Sequence, residues 1–240
     1  LASARLRQPS AIFAHGFLTV DGTKMSKSRG TFIMASTYLQ HLDAEYLRYY
    51  FAAKLSSSVD DMDLNLDDFV QRVNSDLVGK VVNIASRCAG FLRKRFDNQL
   101  SDTCSEPELL KDMIAAGDTI AGLYEARDFQ RAMREIIAVA DRANQFIDDK
   151  KPWVMAKEEG REQEVQDVCS VGINFFRVLM TYLKPVLPVM AKKSETFLGL
   201  SLDWTELSAP LEDHAINDFS PLIQRIDPDA VAAMVEASKA

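Results

Sequence analysis

Only three cysteines occur in 240 residues: Cys88, Cys104 and Cys169. The number is odd and no two lie close together, which argues against both a disulfide framework and a zinc knuckle. A reducing compartment, the cytoplasm, is the expected location. No apolar run approaches the roughly 20 residues that a bilayer-spanning helix needs, so no membrane partner is expected. The opening Leu1-Ala2-Ser3-Ala4-Arg5-Leu6 lacks the apolar stretch of a secretory signal. It also lacks an initiator methionine, so the chain is expected to begin inside a longer protein. Positive charge is scarce as well. Lys and Arg number 28 against 35 Asp and Glu, a net charge of −7, so bulk charge does not mark a nucleic-acid binder. Nucleic-acid binding would have to rest on local basic and aromatic groups, as in readers of single-stranded loops, which depend on stacking and base-edge contacts. Internal repeats and low-complexity stretches are absent. The length sets an expectation of one or two domains with a substantial core.

Residues 1–35 read as β and loop. The run Ala11-Ile12-Phe13-Ala14-His15-Gly16-Phe17-Leu18-Thr19-Val20 carries β-formers and meets Asp21-Gly22, a tight-turn signal. A lone hairpin this short is marginal in water, so a larger sheet is expected upstream. From Ser36 the apolar period changes from 2 to 3.6, and one helix is expected from a Ser36 cap to about Leu55. Ser56-Ser57-Ser58 and the acidic Asp60-Asp61-Met62-Asp63 break it. The next helix opens near Leu64-Asn65-Leu66-Asp67, with Asn65 or Asp67 as cap. Its stripe is Val73, Leu77, Val81, Ile84, Cys88, Phe91 and Leu92. Further helical stripes follow Pro107, Asp128 and about Gln163. A shorter one restarts at Pro185-Val186-Leu187-Pro188, and a last helix begins at Asp227-Pro228. Cys88 and Cys169 fall in these stripes and read as core. The expected fold is mainly α: a helical bundle behind a short β/loop leader.

The stretch Asp21-Gly22-Thr23-Lys24-Met25-Ser26-Lys27-Ser28-Arg29-Gly30-Thr31 is the most informative. It sets three cations and several hydroxyls between two glycines, which permit unusual backbone angles. Lysine is a compact charge suited to phosphate oxygens, and such a loop can close over a polyphosphate and neutralise a leaving pyrophosphate. The plainer reading is a solvated basic turn. It is not a Walker A loop, since that spacing is absent.

Two further groups stand out. Asn83 and Arg87 are i, i+4 neighbours off the apolar stripe, with Lys80 and Lys94 near the same side. Asn offers a paired donor and acceptor and Arg a planar fork, both suited to base edges; the alternative is a solvated helix face. In Lys150-Lys151-Pro152-Trp153, the proline ends a helix and presents a tryptophan beside two lysines, a stacking platform for an unpaired base. The alternative there is a core tryptophan sealing a helix end.

Lys24-Met25-Ser26-Lys27-Ser28 matches, letter for letter, the K-M-S-K-S motif of class I aminoacyl-tRNA synthetases. The flanks His15-Gly16-Phe17-Leu18-Thr19-Val20 and Arg29-Gly30-Thr31 resemble methionyl-tRNA synthetases, as do Leu47-Arg48-Tyr49-Tyr50-Phe51 and Asp63-Leu64-Asn65. The resemblance runs over essentially the whole chain, to Arg225-Ile226-Asp227 and Val235-Glu236-Ala237-Ser238-Lys239.

What the resemblance implies is an ATP-dependent attachment of methionine to tRNA(Met) through methionyl-adenylate. In it Lys24, Met25, Ser26, Lys27 and Ser28 form the ATP-side loop, Mg-ATP and methionine are substrates, and tRNA(Met) is the partner. Asn83, Arg87, Pro152 and Trp153 would read the CAU anticodon, with Trp153 stacking on its first base. Residues 1–35 would end a Rossmann-type catalytic domain, 36–66 form a helical connector, 67–200 the anticodon-binding bundle, and 201–240 an extension with the last helix. The H-I-G-H motif, the methionine pocket and the family's zinc knuckle would lie upstream. No metal ligand set is expected in this chain, and the chain alone is expected to be inactive. A homodimer would form through a further module absent here. The alternatives are a synthetase for isoleucine, valine or leucine, or a non-catalytic tRNA-binding helical module.

Overall fold

The Asp21-Gly22 turn closes as its residue types require. In the computed structural model, which describes residues 7–26 and 31–239, both turn residues have positive φ, 45° at Asp21 and 70° at Gly22. That is the twist that joins two strands through a two-residue loop. Strand β1, Leu18–Val20, pairs antiparallel with β2, Thr23–Lys24. A third strand, β3, Met62–Leu64, lies parallel to β1 with Thr19 opposite Asp63, giving the order β2-β1-β3. The acidic stretch expected only to interrupt helices thus supplies a strand. Its carboxylate is used inward: Asp63 Oδ1 accepts from Thr19 Oγ1 at 2.6 Å and from the Gly22 amide at 2.8 Å. Only the end of the β-like run from Ala11 is strand. Ile12, Phe13 and Phe17 are largely exposed.

The single helix expected from Ser36 to Leu55 is two: α1, Ala35–His41, and α2, Ala44–Lys54. Leu42 and Asp43 are extended, and Asp43 caps α2 by accepting from the Glu45 amide at 2.9 Å. Ser36 lies inside α1, whose N-cap position is Met34. An aspartate that suits a cap competes with helix continuation, and the apolar period alone does not register that break.

From Asn65 one helical run extends for 31 residues: α3, Leu66–Arg72, a wider π-helical stretch over Val73–Val82, then α4, Asn83–Phe96. Asn65 Oδ1 caps it by accepting from the Asp68 amide at 2.8 Å. Its apolar side, Phe69, Val73, Leu77, Val81, Ile84, Cys88 and Leu92, is fully buried, each large side chain contributing on the order of 1.5–3 kcal/mol. The bundle is completed by α5, Pro107–Glu125; α6, Phe129–Lys150; the single turn α7, Pro152–Met155; α8, Glu162–Leu183; and α9, Pro188–Leu198. Helix α8 is the centre, buried on every side from Val168 to Leu183. It approaches α4 closely because residue 172 is glycine. A Cβ there would sit 2.4 Å from Cys88 Sγ.

The connector is tied to this bundle by charge-assisted bonds. The buried Glu45 carboxylate accepts from the Val189 and Met190 amides at the start of α9, both at 2.7 Å. Arg48 Nε donates to Val186 O, also at 2.7 Å. Burial raises the Glu45 carboxyl above its ordinary range, against the pull of the two amides. The last helix, α10, Pro228–Ala237, returns to pack on α1. The Asn74 side chain pairs with both the N–H and the C=O of Ile226 to hold the returning segment.

Candidate functional site

The basic loop grows from a locked base. Asp21 N donates to Leu64 O at 3.1 Å, and Asp21 Oδ1 accepts from the Leu66 amide at 3.0 Å, at the first turn of α3. Lys24 ends β2, is exposed, and makes no ion pair with another described residue. Above it the loop is drawn together at a neck. Thr31 Oγ1 donates to Lys24 O at 3.0 Å and accepts from the Ser26 amide at 3.1 Å, while Thr31 N donates to Ser26 O at 3.2 Å. Met25 and Ser26 are half-buried at this neck. Lys27 and Ser28, also expected in the loop site, lie outside the described residues.

The second group forms where α4, α6 and α7 meet. Helix α6 stops because Lys151 adopts a left-handed conformation, and Pro152 then opens the next turn. Pro152 itself is buried. Trp153 follows it, half-buried, against α4. The Arg87 guanidinium carbon lies 4.4 Å from the indole centroid, and Arg87 Nη2 is 2.7 Å from Asp148 Oδ1 on α6. One indole face is therefore covered by a delocalised cation, a contact worth roughly 0.5–2 kcal/mol. Asp148 takes one of the five N–H donors of the guanidinium, leaving others for a ligand.

Asn83 sits one turn before Arg87, half-buried, and its side-chain amide makes no hydrogen bond to the described residues. Lys80, two turns before Arg87, is held by Asp141 at 2.7 Å, whereas Lys94 is exposed with no ion pair among the described residues. The other tryptophan, Trp204, packs into an aromatic cluster, 4.8 Å from Tyr182 and 6.4 Å from Tyr124 between ring centroids.

Asp148 and Thr31 were not singled out from sequence, although each organises one group. A signal for the first was present. Lys80 pairs with Asp141, and Arg87 with Asp148, each 61 residues on. Two helices running parallel in step give such a matched spacing, and two opposite-charge pairs at one offset could have flagged it. Thr31 carried no comparable signal, because its role depends on where the chain returns beside Lys24 and Ser26.

Residues 1–89 match the family model described as tRNA synthetases class I (M), and residues 100–219 match the anticodon binding domain of methionyl tRNA ligase. The chain belongs to the methionyl-tRNA synthetase family. Among solved structures it is similar to the Mycobacterium tuberculosis methionyl-tRNA synthetase in complex with methionyl-adenylate. That match has TM-score 0.80 and 24% identity, over 92% of this chain and 45% of that one. The apo form of the same organism's enzyme matches at TM-score 0.79 and 22% identity, over 95% of this chain and 46% of that one. At these identities the likeness establishes the fold. The chain thus spans a little under half the length of the solved synthetases it resembles. The first match ends inside α4, at residue 89, and the second begins at residue 100, between α4 and α5, so the Arg87 side of the Arg87–Trp153 contact falls in one family model and the Trp153 side in the other.

Proposed function

We propose that this chain is the carboxy-terminal part of a methionine–tRNA ligase, carrying the ATP-side loop and the surface that reads the CAU anticodon of tRNA(Met). The observation that carries the reading is the Arg87–Trp153 stack with Asn83 beside it, on the same helical rod whose other end holds the Lys24 loop. In this reading residues 1–35 close the catalytic domain, 36–66 connect, 67–200 form the anticodon-reading bundle, and 201–240 extend it.

The chemistry runs in two steps. A carboxylate oxygen of methionine attacks the α-phosphorus of Mg-ATP, and the bond to the bridging oxygen breaks, releasing pyrophosphate. A hydroxyl of the terminal tRNA ribose then attacks the acyl carbon, releasing AMP. Lys24 and Lys27 act in the first step, offsetting negative charge on the departing diphosphate. Met25, Ser26 and Ser28 shape the loop, and the Thr31 bonds hold its neck. At the other end Trp153 stacks on an unpaired base through its solvent-exposed part, with Arg87 against the ring and Pro152 fixing the turn that presents it. Asn83 and the remaining donors of Arg87 bond base edges.

The test has two arms. The purified 240-residue chain is expected to bind a CAU anticodon stem-loop in preference to those for isoleucine, valine and leucine tRNAs, and equal affinity for all four would reject the assignment. In the full-length protein that contains this chain, Lys24→Ala is expected to reduce methionine-dependent pyrophosphate exchange by about 100-fold, on the scale of one lost electrostatic contact to the transition state. Unchanged exchange would leave only a tRNA-binding module. The 240-residue chain by itself is expected to show no exchange.

A further inference from the structure

Resting on the reading above, we propose that Asp21 is a positioning residue for adenylate formation: its carboxylate anchors the ATP-side loop to the helical rod that carries Asn83 and Arg87. Asp21 lies three residues before Lys24, in the turn between β1 and β2. Its backbone is held by the bond from its own amide to Leu64 O at 3.1 Å. Its side chain reaches the same junction two residues further on, accepting from the Leu66 amide at 3.0 Å. Leu66 is the first residue of α3, where amides point outward unpaired and the helix dipole favours a carboxylate.

This bond is the hinge pin of the loop's base. Without it, the hydrogen bonds that tie the β1–β2 turn to the rod among the described residues run through β3: the Asp21 amide to Leu64 O and the Asp63 contacts to Thr19 and Gly22. Those bonds fix the hairpin's register on the sheet, not its inclination to α3. A change of inclination moves Lys24, which is at the hairpin's far side, by more than it moves Asp21. Misplacing a charge by about 1 Å is enough to cost on the order of 100-fold in a catalysed step. The run from Leu66 to Asn83 spans roughly 25 Å at helical rise, so the anchor also gives the loop and the anticodon face one shared rigid reference.

The bond can be deleted from either side without forcing the backbone. Asp21→Gly removes the acceptor and accepts the positive φ. Leu66→Pro removes the donor at a first-turn position where proline is tolerated, after Asn65, which is already extended. Asp21→Asn keeps an acceptor and also tolerates positive φ. In the full-length protein, Asp21→Gly and Leu66→Pro are expected to lower pyrophosphate exchange about tenfold through kcat and the KM for ATP. The KM for methionine and the affinity for a CAU stem-loop should stay within twofold, and Asp21→Asn should restore exchange. In the 240-residue chain, the same two variants should speed amide hydrogen exchange at Thr23–Ser26, and Asp21→Asn should not. Exchange kinetics within twofold of wild type for both deletions, beside a defective Lys24→Ala, would overturn the role of Asp21. An unaffected Lys24→Ala would instead overturn the functional reading, and this inference with it.

Discussion

Arg87 is held between two partners, its guanidinium 4.4 Å from the Trp153 ring centroid and its Nη2 2.7 Å from Asp148 Oδ1. Groups in direct contact do not act independently. A double-mutant cycle of Arg87→Ala and Trp153→Ala, read by fluorescence titration of a CAU stem-loop, is therefore expected to be non-additive. The doubly substituted chain should lose less affinity than the sum of the single losses, by about 0.5 kcal/mol or more. Strict additivity would show that the stack does not act as one unit in binding.

The two tryptophans should separate by phenotype. Trp153→Ala removes a stacking surface worth roughly 1–3 kcal/mol per base, about 5- to 150-fold in Kd for the stem-loop. Trp204→Ala instead opens the Tyr124–Tyr182 cluster, which should lower Tm and leave stem-loop affinity within about twofold, since the cavity cost falls on folding. If both substitutions weaken binding equally, Trp153 is not the platform.

Thr31→Val replaces the hydroxyl that bridges Lys24 O and the Ser26 amide with a methyl of similar size. Each lost bond contributes about 1 kcal/mol, so amide exchange at Ser26 should rise by roughly tenfold while Tm shifts by only a few degrees. Hydrogen-exchange mass spectrometry of the 240-residue chain checks this, and an unchanged Ser26 would mean the neck is held by other contacts.

The approach of α4 to α8 yields a stability test. Gly172→Ala places a Cβ 2.4 Å from Cys88 Sγ, and overpacking of this kind costs about 1–3 kcal/mol. Cys88→Ala removes the obstructing sulfur. Urea unfolding should show the double substitution Cys88→Ala with Gly172→Ala to be more stable than Gly172→Ala alone. Failure of that rescue would place the strain elsewhere.

Acid sensitivity has an identifiable contributor in Glu195. The Lys184 ammonium at 2.7 Å holds its carboxyl down at about 2, from an ordinary 4.5, aided by the Leu202 amide and Lys192. A depressed folded-state pKa gives stability that is complete above the unfolded value and lost as pH falls through the folded one. The stability gap between wild type and Glu195→Gln should be constant above about pH 5 and narrow as pH drops toward 3. A gap that widens on acidification would contradict this sign.

Local chemistry was enough for most elements. Period-3.6 stripes marked the rod and α5, α6, α8 and α9. Asn65, Asp128 and Asp227 cap the helices that follow them, and Asp21-Gly22 turns as an Asp-Gly pair should. These features depend on dihedral preferences and on hydrogen bonds within a few residues, so they are written in short windows. The K-M-S-K-S letters were equally local, being a string of residue types.

Tertiary structure alone decided the rest. Strand β3 exists because Asp63 finds Thr19 and Gly22 more than 40 residues away. The break at Leu42–Asp43 depends on Tyr38 OH donating to Asp43 O and on α2 docking at the start of α9. Arg87 meets both Asp148 and Trp153 only because two helices 61 residues apart run parallel in step. Side-chain periodicity says which face of a helix is buried. It does not say which helix lies against that face or in what register, and those are set by the shapes that pack, such as Gly172 receiving Cys88.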